Sequence, residues 1–459
     1  MNRNEEYYKL LSEFEQTPPA LNYTVQRAQA RNKRRRRLRT FLGIPVGSLA
    51  VFLISFTCLV NFLPPFAMAC GDIPILRGLA KSVSWSPSLS AAVENEYVQP
   101  INQKQTINGI TVRVEYVIVD QKQVNFFYTL DAANDAPLEA DSNLLGVDGG
   151  ALEGFSLHSG NYGIPNGELR SCTADFQDGD VPGAVQLRLQ VYTNAPEEHD
   201  AIAPPAQSVE DSMLAETVYD RPDYLAEFSF ELAFDAYYTA QGETIPVNQT
   251  FRLDGQTLTL TDAELYPTHI RLNFKDAPAN TAWLKGLEFY LENQRGEKFE
   301  PISNGVSATG SIDSPMMESF RVESDFFRGS TTLTLHITAS SWLDKDKERI
   351  PVDLTCKTAK NLPQGVEFES AKHQTAGWIL TFTGEEFEEN HFYQLFGSRY
   401  YDADGKEYEI NSSSADMGDN PGRFNATFPL VGYHQNTVWL CPSFTRITTE
   451  VVPLSISIR

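Results

Sequence analysis

From Phe41 to Gly71 the chain carries no charged side chain, and the nine residues Arg31 to Arg39 pack seven Lys and Arg immediately before that run. Phe41 to Phe62 reads as mostly apolar, and about 20 such residues in a helix span roughly 30 Å, the thickness of a bilayer's hydrocarbon core. No other stretch comes close, so the spacing predicts one transmembrane helix over residues 41–63, with Pro64 and Pro65 ending it. A basic cluster is costly to translocate and is drawn to anionic lipid on the cytoplasmic face. Arg34, Arg35, Arg36 and Arg37 are therefore the expected membrane-surface contacts, with the amino terminus inside the cell and the carboxyl terminus outside. A cleaved secretory signal fits less well, although Ala67, Met68 and Ala69 precede Cys70. Forty residues ahead of so long an apolar stretch exceed what a signal peptide carries.

Charge divides the chain the same way. Residues 1–40 hold ten Lys and Arg against four Asp and Glu, so that most of the net −23 and more sits beyond them. Nucleic-acid binding by that acidic part is excluded, because phosphates need positive charge where they lie. Five cysteines over 459 residues imply no disulfide framework. Cys356 and Cys441 are the pair to test for a bond, although free thiols behaving as small hydrophobes are the simpler reading.

Inside the tail, Tyr7, Leu10, Leu11 and Phe14 fall at i, i+3, i+4 and i+7, one face of a helix that Pro18 and Pro19 stop. Forty residues cannot build a core, so this stripe is expected to bind a partner or lie on the membrane. Glu5, Glu6 and Glu13 would be repelled by an anionic leaflet, which favours a cytoplasmic partner.

Beyond the membrane segment, Leu89, Ala92, Val93 and Tyr97 have helical spacing, with Ser88 as the expected cap. After Gln105 the period becomes that of strands. TINGITVRVEYVIVDQKQVNFFY, from Thr106, returns as TFRLDGQTLTLTDAELYPTHIRLNF, from Thr250, and aligns Asn108–Gly109 with Asp254–Gly255. A looser echo links YLENQRGEKF, from Tyr290, with YYDADGKEY, from Tyr400. Alternation in Val185–Tyr192, Phe228–Phe234, Leu333–Ile337, Trp378–Phe382 and Val438–Leu440 adds further strands. The expectation is a mainly β chain: a single transmembrane helix followed by two or three antiparallel β-sandwich, immunoglobulin-like ectodomain units. Boundaries are set at 1–40 for the tail, 41–63 for the membrane helix, 70–238 for a membrane-proximal β domain, 239–349 for an immunoglobulin-like domain and 350–459 for a C-terminal β domain. Residues 132–182 and 196–222, rich in Gly, Pro, Asp and Ser, read as long loops or insertions of the first unit.

Enzyme chemistry has little to stand on. The chain lacks G-x-S-x-G, H-E-x-x-H, C-x-x-C and phosphate-loop patterns. Gly154, Ser156 and His158 imitate a nucleophile turn without its second glycine. Seven histidines are scattered, so a zinc site would have to be assembled from distant strands. Asp402, Asp404 and Gly405 resemble part of a calcium loop, but Tyr400 stands at its first position and Asn411 at its twelfth, and a tight hairpin fits better. No catalytic residue, no metal ligand and no cofactor is expected.

ACGDIPILRGLAKSVSW, ENEYV and QTINGITVRVEYVIVDQKQVNFFYTL, in that order, resemble the membrane-proximal ectodomain of a family of Gram-positive bacterial proteins of unknown function. VNQTFRLDGQTLTLTDAELYPTHIRLNF resembles the immunoglobulin-like domain of unknown function that often follows it. Together these cover about Ala69 to Asp346. The resemblance implies an anti-sigma-factor-like regulator whose tail holds a cytoplasmic sigma factor, although residues 1–40 contain neither the His nor the Cys of the zinc-binding anti-sigma pattern. The expected function is thus a non-enzymatic single-pass membrane sensor, with an unknown extracellular ligand and no nucleic acid among its partners. The competing reading is an anchored envelope-binding or adhesion module, whose activity would survive deletion of residues 2–30.

Overall fold

A computed structural model describes residues 83–95, 97–132, 137–159, 163–177, 179–193, 223–302, 307–310, 315–385, 394–410, 413–416 and 423–459. The tail stripe, the arginine cluster and the expected membrane helix lie outside these residues. Among the described residues no helix is long and apolar enough to cross a membrane.

The described chain is mainly β, in antiparallel sheets around three hydrophobic cores. It opens with helix α1 (Pro87–Glu94), which buries Ser88, Leu89, Ala92 and Val93. The expected cap at Ser88 is corrected to Ser86, whose hydroxyl accepts from the Leu89 amide. Pro87, with φ already helical and no N–H to satisfy, suits the first helical position and fixes the cap one residue before it.

In the first unit, strands β1 (Gln99–Ile107), β2 (Ile110–Val119), β3 (Gln123–Ala132), β6 (Leu169–Phe176) and β5 (Phe155–Ser159) form one sheet, in that spatial order. Facing it are β4 (Leu138–Leu145), β7 (Ala184–Thr193) and β8 (Ala226–Ala233). Residues 132–182 are therefore not a loop: three strands run through them, because serines and glycines between apolar positions such as Leu169, Cys172 and Ala174 mask the alternation. β8 is an edge strand, and β1 covers it through side chains. Gln99, Gln103 and Gln105 donate to the carbonyls of Ala233, Glu231 and Ser229, and Asn108 to Leu225. Amides thus satisfy carbonyls that would otherwise template pairing with another chain.

The second unit repeats the opening of the first. β9 (Glu243–Leu253), β10 (Gln256–Leu265) and β11 (Ile270–Asp276) pair like β1, β2 and β3, joined in one sheet by β15 (Met317–Val322) and β14 (Ala308–Gly310). Asn108–Gly109 has φ of 51° and 77°, and Asp254–Gly255 has 49° and 75°. Two successive left-handed residues make the two-residue hairpin turn that matches strand twist. Six residues upstream, Asn102 and Asn248 are also left-handed, at 53° and 51°, and each marks a bulge.

Opposite that sheet run β13 (Lys298–Phe299), β12 (Ala282–Asn293), β16 (Leu333–Asp344) and the last strand, β26 (Arg446–Ser457). The C-terminal boundary is corrected here. β26 pairs with β16 from Thr334↔Ser457 to Trp342↔Arg446, and Ile456 and Ile458 are buried in the second core. Residues 350–445 are thus an insertion into the second unit, and 446–459 complete the host. The inserted unit packs β18 (Thr358–Ala359), β17 (Ile350–Asp353), β25 (Thr437–Pro442), β21 (Phe396–Tyr401) and β22 (Glu407–Glu409) against β19 (Val366–Gln374), β20 (Gly377–Glu385), β24 (Arg423–Val431) and β23 (Ser414–Asp416).

Candidate functional site

The first and second units meet through one turn from each, and the two turns are equivalents in the repeat. Asp120 N–H donates to Gln123 O in one, and Tyr266 N–H donates to His269 O in the other, both at 2.9 Å. Asp120 Oδ1 closes its own turn by accepting from Lys122 and Gln123 amides, while Oδ2 crosses to accept from Thr268 N at 3.0 Å and Thr268 Oγ1 at 2.6 Å. Burial pushes the Asp120 carboxyl up, and those hydrogen bonds, Thr268 foremost, pull against the rise.

Alternation along β11 places His269, Arg271 and Asn273 on one face, with Ile270, Leu272 and Phe274 in the second core. The polar face is not solvated. Arg271 donates to Asp175 Oδ1 at 2.9 Å and to Phe176 O at 2.6 Å, both in the first unit. Arg321 of β15 grips the same carboxylate in bidentate fashion, Nε to Oδ2 at 2.8 Å and a terminal nitrogen to Oδ1 at 2.6 Å. Asp175 and Arg321 are each 1% exposed, and burial lowers the Arg321 guanidinium from its usual value while Asp175 holds it up. Two Arg around one Asp, with Asp120 nearby, leave this buried set without net charge provided His269 is neutral.

The hydrogen bonds require that neutrality. Arg271 Nε lies 3.1 Å from His269 Nε2 and can only donate, so that nitrogen accepts. His269 Nδ1 then carries the proton and gives it to Thr268 Oγ1 at 2.8 Å, and Thr268 passes its own to Asp120. Burial first, then the charges of Arg271, Arg321 and Lys122, hold the imidazole well below the ordinary value of 6.5. A second proton would aim an N–H at an Arg N–H.

Glu323, just after β15, extends the joint to α1. It accepts from Ser88 N at 2.8 Å and from the hydroxyls of Ser86 and Ser88, and Ser88 Oγ in turn accepts from the Ser324 amide. Burial pushes its carboxyl up, opposed by these serine contacts. The second unit therefore holds the N-terminal end of the first described helix after the apolar run.

The joint's residues, Asp120, Asp175, His269, Arg271, Arg321 and Glu323, escape a reading of the sequence, because a strand's polar stripe looks the same whether water or another unit covers it. The alternation in His269–Phe274 is their only local signal. Among the sequence candidates, Tyr7, Leu10, Leu11, Phe14 and Arg34 to Arg37 lie outside the described residues. Ser156 sits on β5, where its hydroxyl accepts from Gln177 at 2.7 Å. Cys356 and Cys441 are free thiols. Burial pushes the Cys441 thiol up, the opposite of activation. Asp402 is a hairpin residue: its Oδ1 accepts from the amides of Asp404 and Lys406, just as Asn293 Oδ1 accepts from Arg295 and Glu297 in the hairpin it echoes. Gly405 and Gly296 stand at φ 80° and 73° in those two turns.

Two clefts lie elsewhere. One of about 300 Å³ is lined by Glu139, Asp141, Ser142, Leu157 and Tyr192, and one of about 430 Å³ by Lys285, Met317, Leu343, Cys441 and Phe444. No group of three or more His, Cys, Asp or Glu is placed to hold a metal among the described residues.

Known proteins give two partial matches. Residues 34–132 are similar to a domain of unknown function (DUF4179), a span that runs from the arginine cluster through the apolar run to the end of β3. Residues 242–369 are similar to a family of unknown function (DUF5643). No curated protein matches the chain. A crystal structure described as the conserved domain protein from Bacillus anthracis is 11% identical, covering 60% of this chain and 82% of that one with a TM-score of 0.37, a likeness that carries neither fold nor function.

Proposed function

We propose that the chain is a non-enzymatic, single-pass membrane sensor or regulator whose immunoglobulin-like outer units bias a cytoplasmic tail. The observation that carries this reading is the link from Glu323 to Ser86 and Ser88, backed by the Arg271–Asp175–Arg321 cluster. A displacement of the second unit is thereby delivered to α1, the first described helix after the apolar run. The basic tail, the uncharged stretch from Phe41 to Gly71 and the acidic outer portion support the topology. The expected inner contact is a cytoplasmic protein, with a sigma factor the candidate implied by resemblance, held by Tyr7, Leu10, Leu11 and Phe14.

The test is capture of cytoplasmic protein by the full-length chain, compared with a variant in which those four residues are Ala. A partner lost on substitution, and released when Glu323→Ala frees α1, is the expected result. Equal capture by both chains would overturn the proposal. So would an envelope activity untouched by deletion of residues 2–30, which would favour an anchored binding module.

A further inference from the structure

His373 and His434 are 61 positions apart in sequence, yet the inserted unit brings His373 Nε2 within 3.3 Å of His434 Nδ1. Both rings are exposed. We propose that this pair binds a divalent transition-metal ion of the zinc and copper class, at a site separate from the buried joint.

Three observations carry the assignment. The first is the separation itself. Two imidazole nitrogens at 2.0–2.1 Å from a tetrahedral ion lie about 3.3 Å apart, the separation of this hydrogen-bonded pair. A small rotation of two exposed rings is enough to aim both lone pairs at one ion.

The second is the rigidity of what holds them. His373 is on β19, directly across from Trp378, whose ring lies 4.6 Å from the imidazole and walls one side. Gly377, the first residue of β20 after the turn, has φ +141°, and a Cβ there would stand 2.1 Å from Leu430 O. No other residue fits so close to the neighbouring chain. Ala376 O accepts from the Gly432 amide at 2.7 Å, which ties this turn to the one bearing His434. Gln435 donates to buried Asp402 at 3.0 Å, and Tyr433 donates to Thr437 O, so the second turn is anchored on its other side. Ligands on anchored turns lose little freedom when an ion arrives.

The third is the chemistry of the donors. Imidazole selects zinc, copper and nickel over magnesium and calcium, which take oxygen ligands. A net charge of −23 also raises the local concentration of cations. Two protein ligands leave open positions for water or for a donor from a bound partner. The proposal is independent of the signalling function above and can fail or stand without it.

The experiment is calorimetric titration of the full-length chain with CuCl₂, ZnCl₂ and MgCl₂, alongside His373→Gln, His434→Gln and a His336→Gln control. His336 stacks on Tyr290 and bonds Ser455, away from the pair. The expected result is one saturable site, tighter for copper than for zinc and absent for magnesium. Each pair variant should bind at least about tenfold more weakly, and the control should bind like the native chain. Electron paramagnetic resonance of the copper-loaded chain should show two imidazole nitrogens, falling to one in either pair variant. Absence of saturable copper binding, unchanged binding in both pair variants, or an equal loss in the control would each overturn the proposal.

Discussion

Where the first unit meets the second, a single chain connection crosses and buried charge does the holding. Where the second meets the inserted third, the chain crosses twice, and the ion pairs beside that crossing are partly exposed. At the first joint Asp175 and Arg321 side chains are 2% and 1% exposed, whereas on the host's side of the second crossing Arg446, itself a host residue, is 26% exposed as it bridges Asp254 and Asp344 of the same unit. Buried ion pairs are no cheap source of stability, since their desolvation cost rivals their attraction, but they punish any misfit heavily. The first joint therefore specifies one arrangement of two units that topology would leave free. The second needs no such device, because the chain leaves from the end of β16 and returns as β26 paired with β16, and Thr445 bonds both Trp342 and Asp344.

That contrast ranks the effects of breaking each joint. Removing residues 446–459 should be the most damaging change. It strips β26 from β16 and removes buried Ile456 and Ile458, each worth about 1.5–3 kcal/mol. Hydrogen exchange should then show β12, β13 and β16 unprotected while β19, β20 and β24 keep their protection. Loss of protection in the inserted unit as well would show that it depends on its host.

Next comes Asp175→Ala, which strands two buried guanidiniums and should cost about 3–5 kcal/mol in urea unfolding of the full-length chain. Replacing Arg446 by Ala, a half-exposed group, should cost within about 1 kcal/mol. Equal losses from these two substitutions would erase the distinction between the buried charge cluster and the partly exposed one beside the second crossing.

The pH dependence is a finer probe. His269 has a folded-state pKa below its unfolded value of 6.5, so on acidification the unfolded chain takes up a proton that the folded chain refuses. Its contribution is intact above pH 6.5 and is lost as pH falls from there. Asp120 and Glu323, both raised by burial, act in the opposite sense, their penalty easing as they protonate in acid. His269→Gln should therefore flatten the fall in stability below pH 6.5 by up to about 1.4 kcal/mol per pH unit relative to the native chain. Parallel melting curves for the two proteins across pH 5 to 7 would contradict a neutral buried imidazole.

Much of the fold was legible where local chemistry decides it. Asn108–Gly109 and Asp254–Gly255 announce their hairpins because few other pairs tolerate two left-handed residues in succession, and the hairpins after Tyr290 and Tyr400 echo each other because Asn293 and Asp402 close turns in which a single glycine, Gly296 or Gly405, takes a positive φ. What local pattern cannot carry is the identity of a distant partner. Alternation in Arg446–Ser457 marks a strand without saying that its neighbour is Leu333–Asp344, far upstream, so the insertion stayed hidden. His269, Arg271 and Arg321 look like a solvated stripe for the same reason, and His373 and His434 look scattered until two turns are clamped together.

Buried charge locks the first two units into one body. Pulsed electron resonance between spin labels at Lys104→Cys and Lys275→Cys, both exposed positions in different units, tests it in a chain with Cys58, Cys70, Cys356 and Cys441 replaced by Ser. A single narrow distance distribution is predicted for the native joint, broadening when Asp175→Asn removes the shared negative charge. A broad distribution at the outset, or a narrow one indifferent to that substitution, would contradict it.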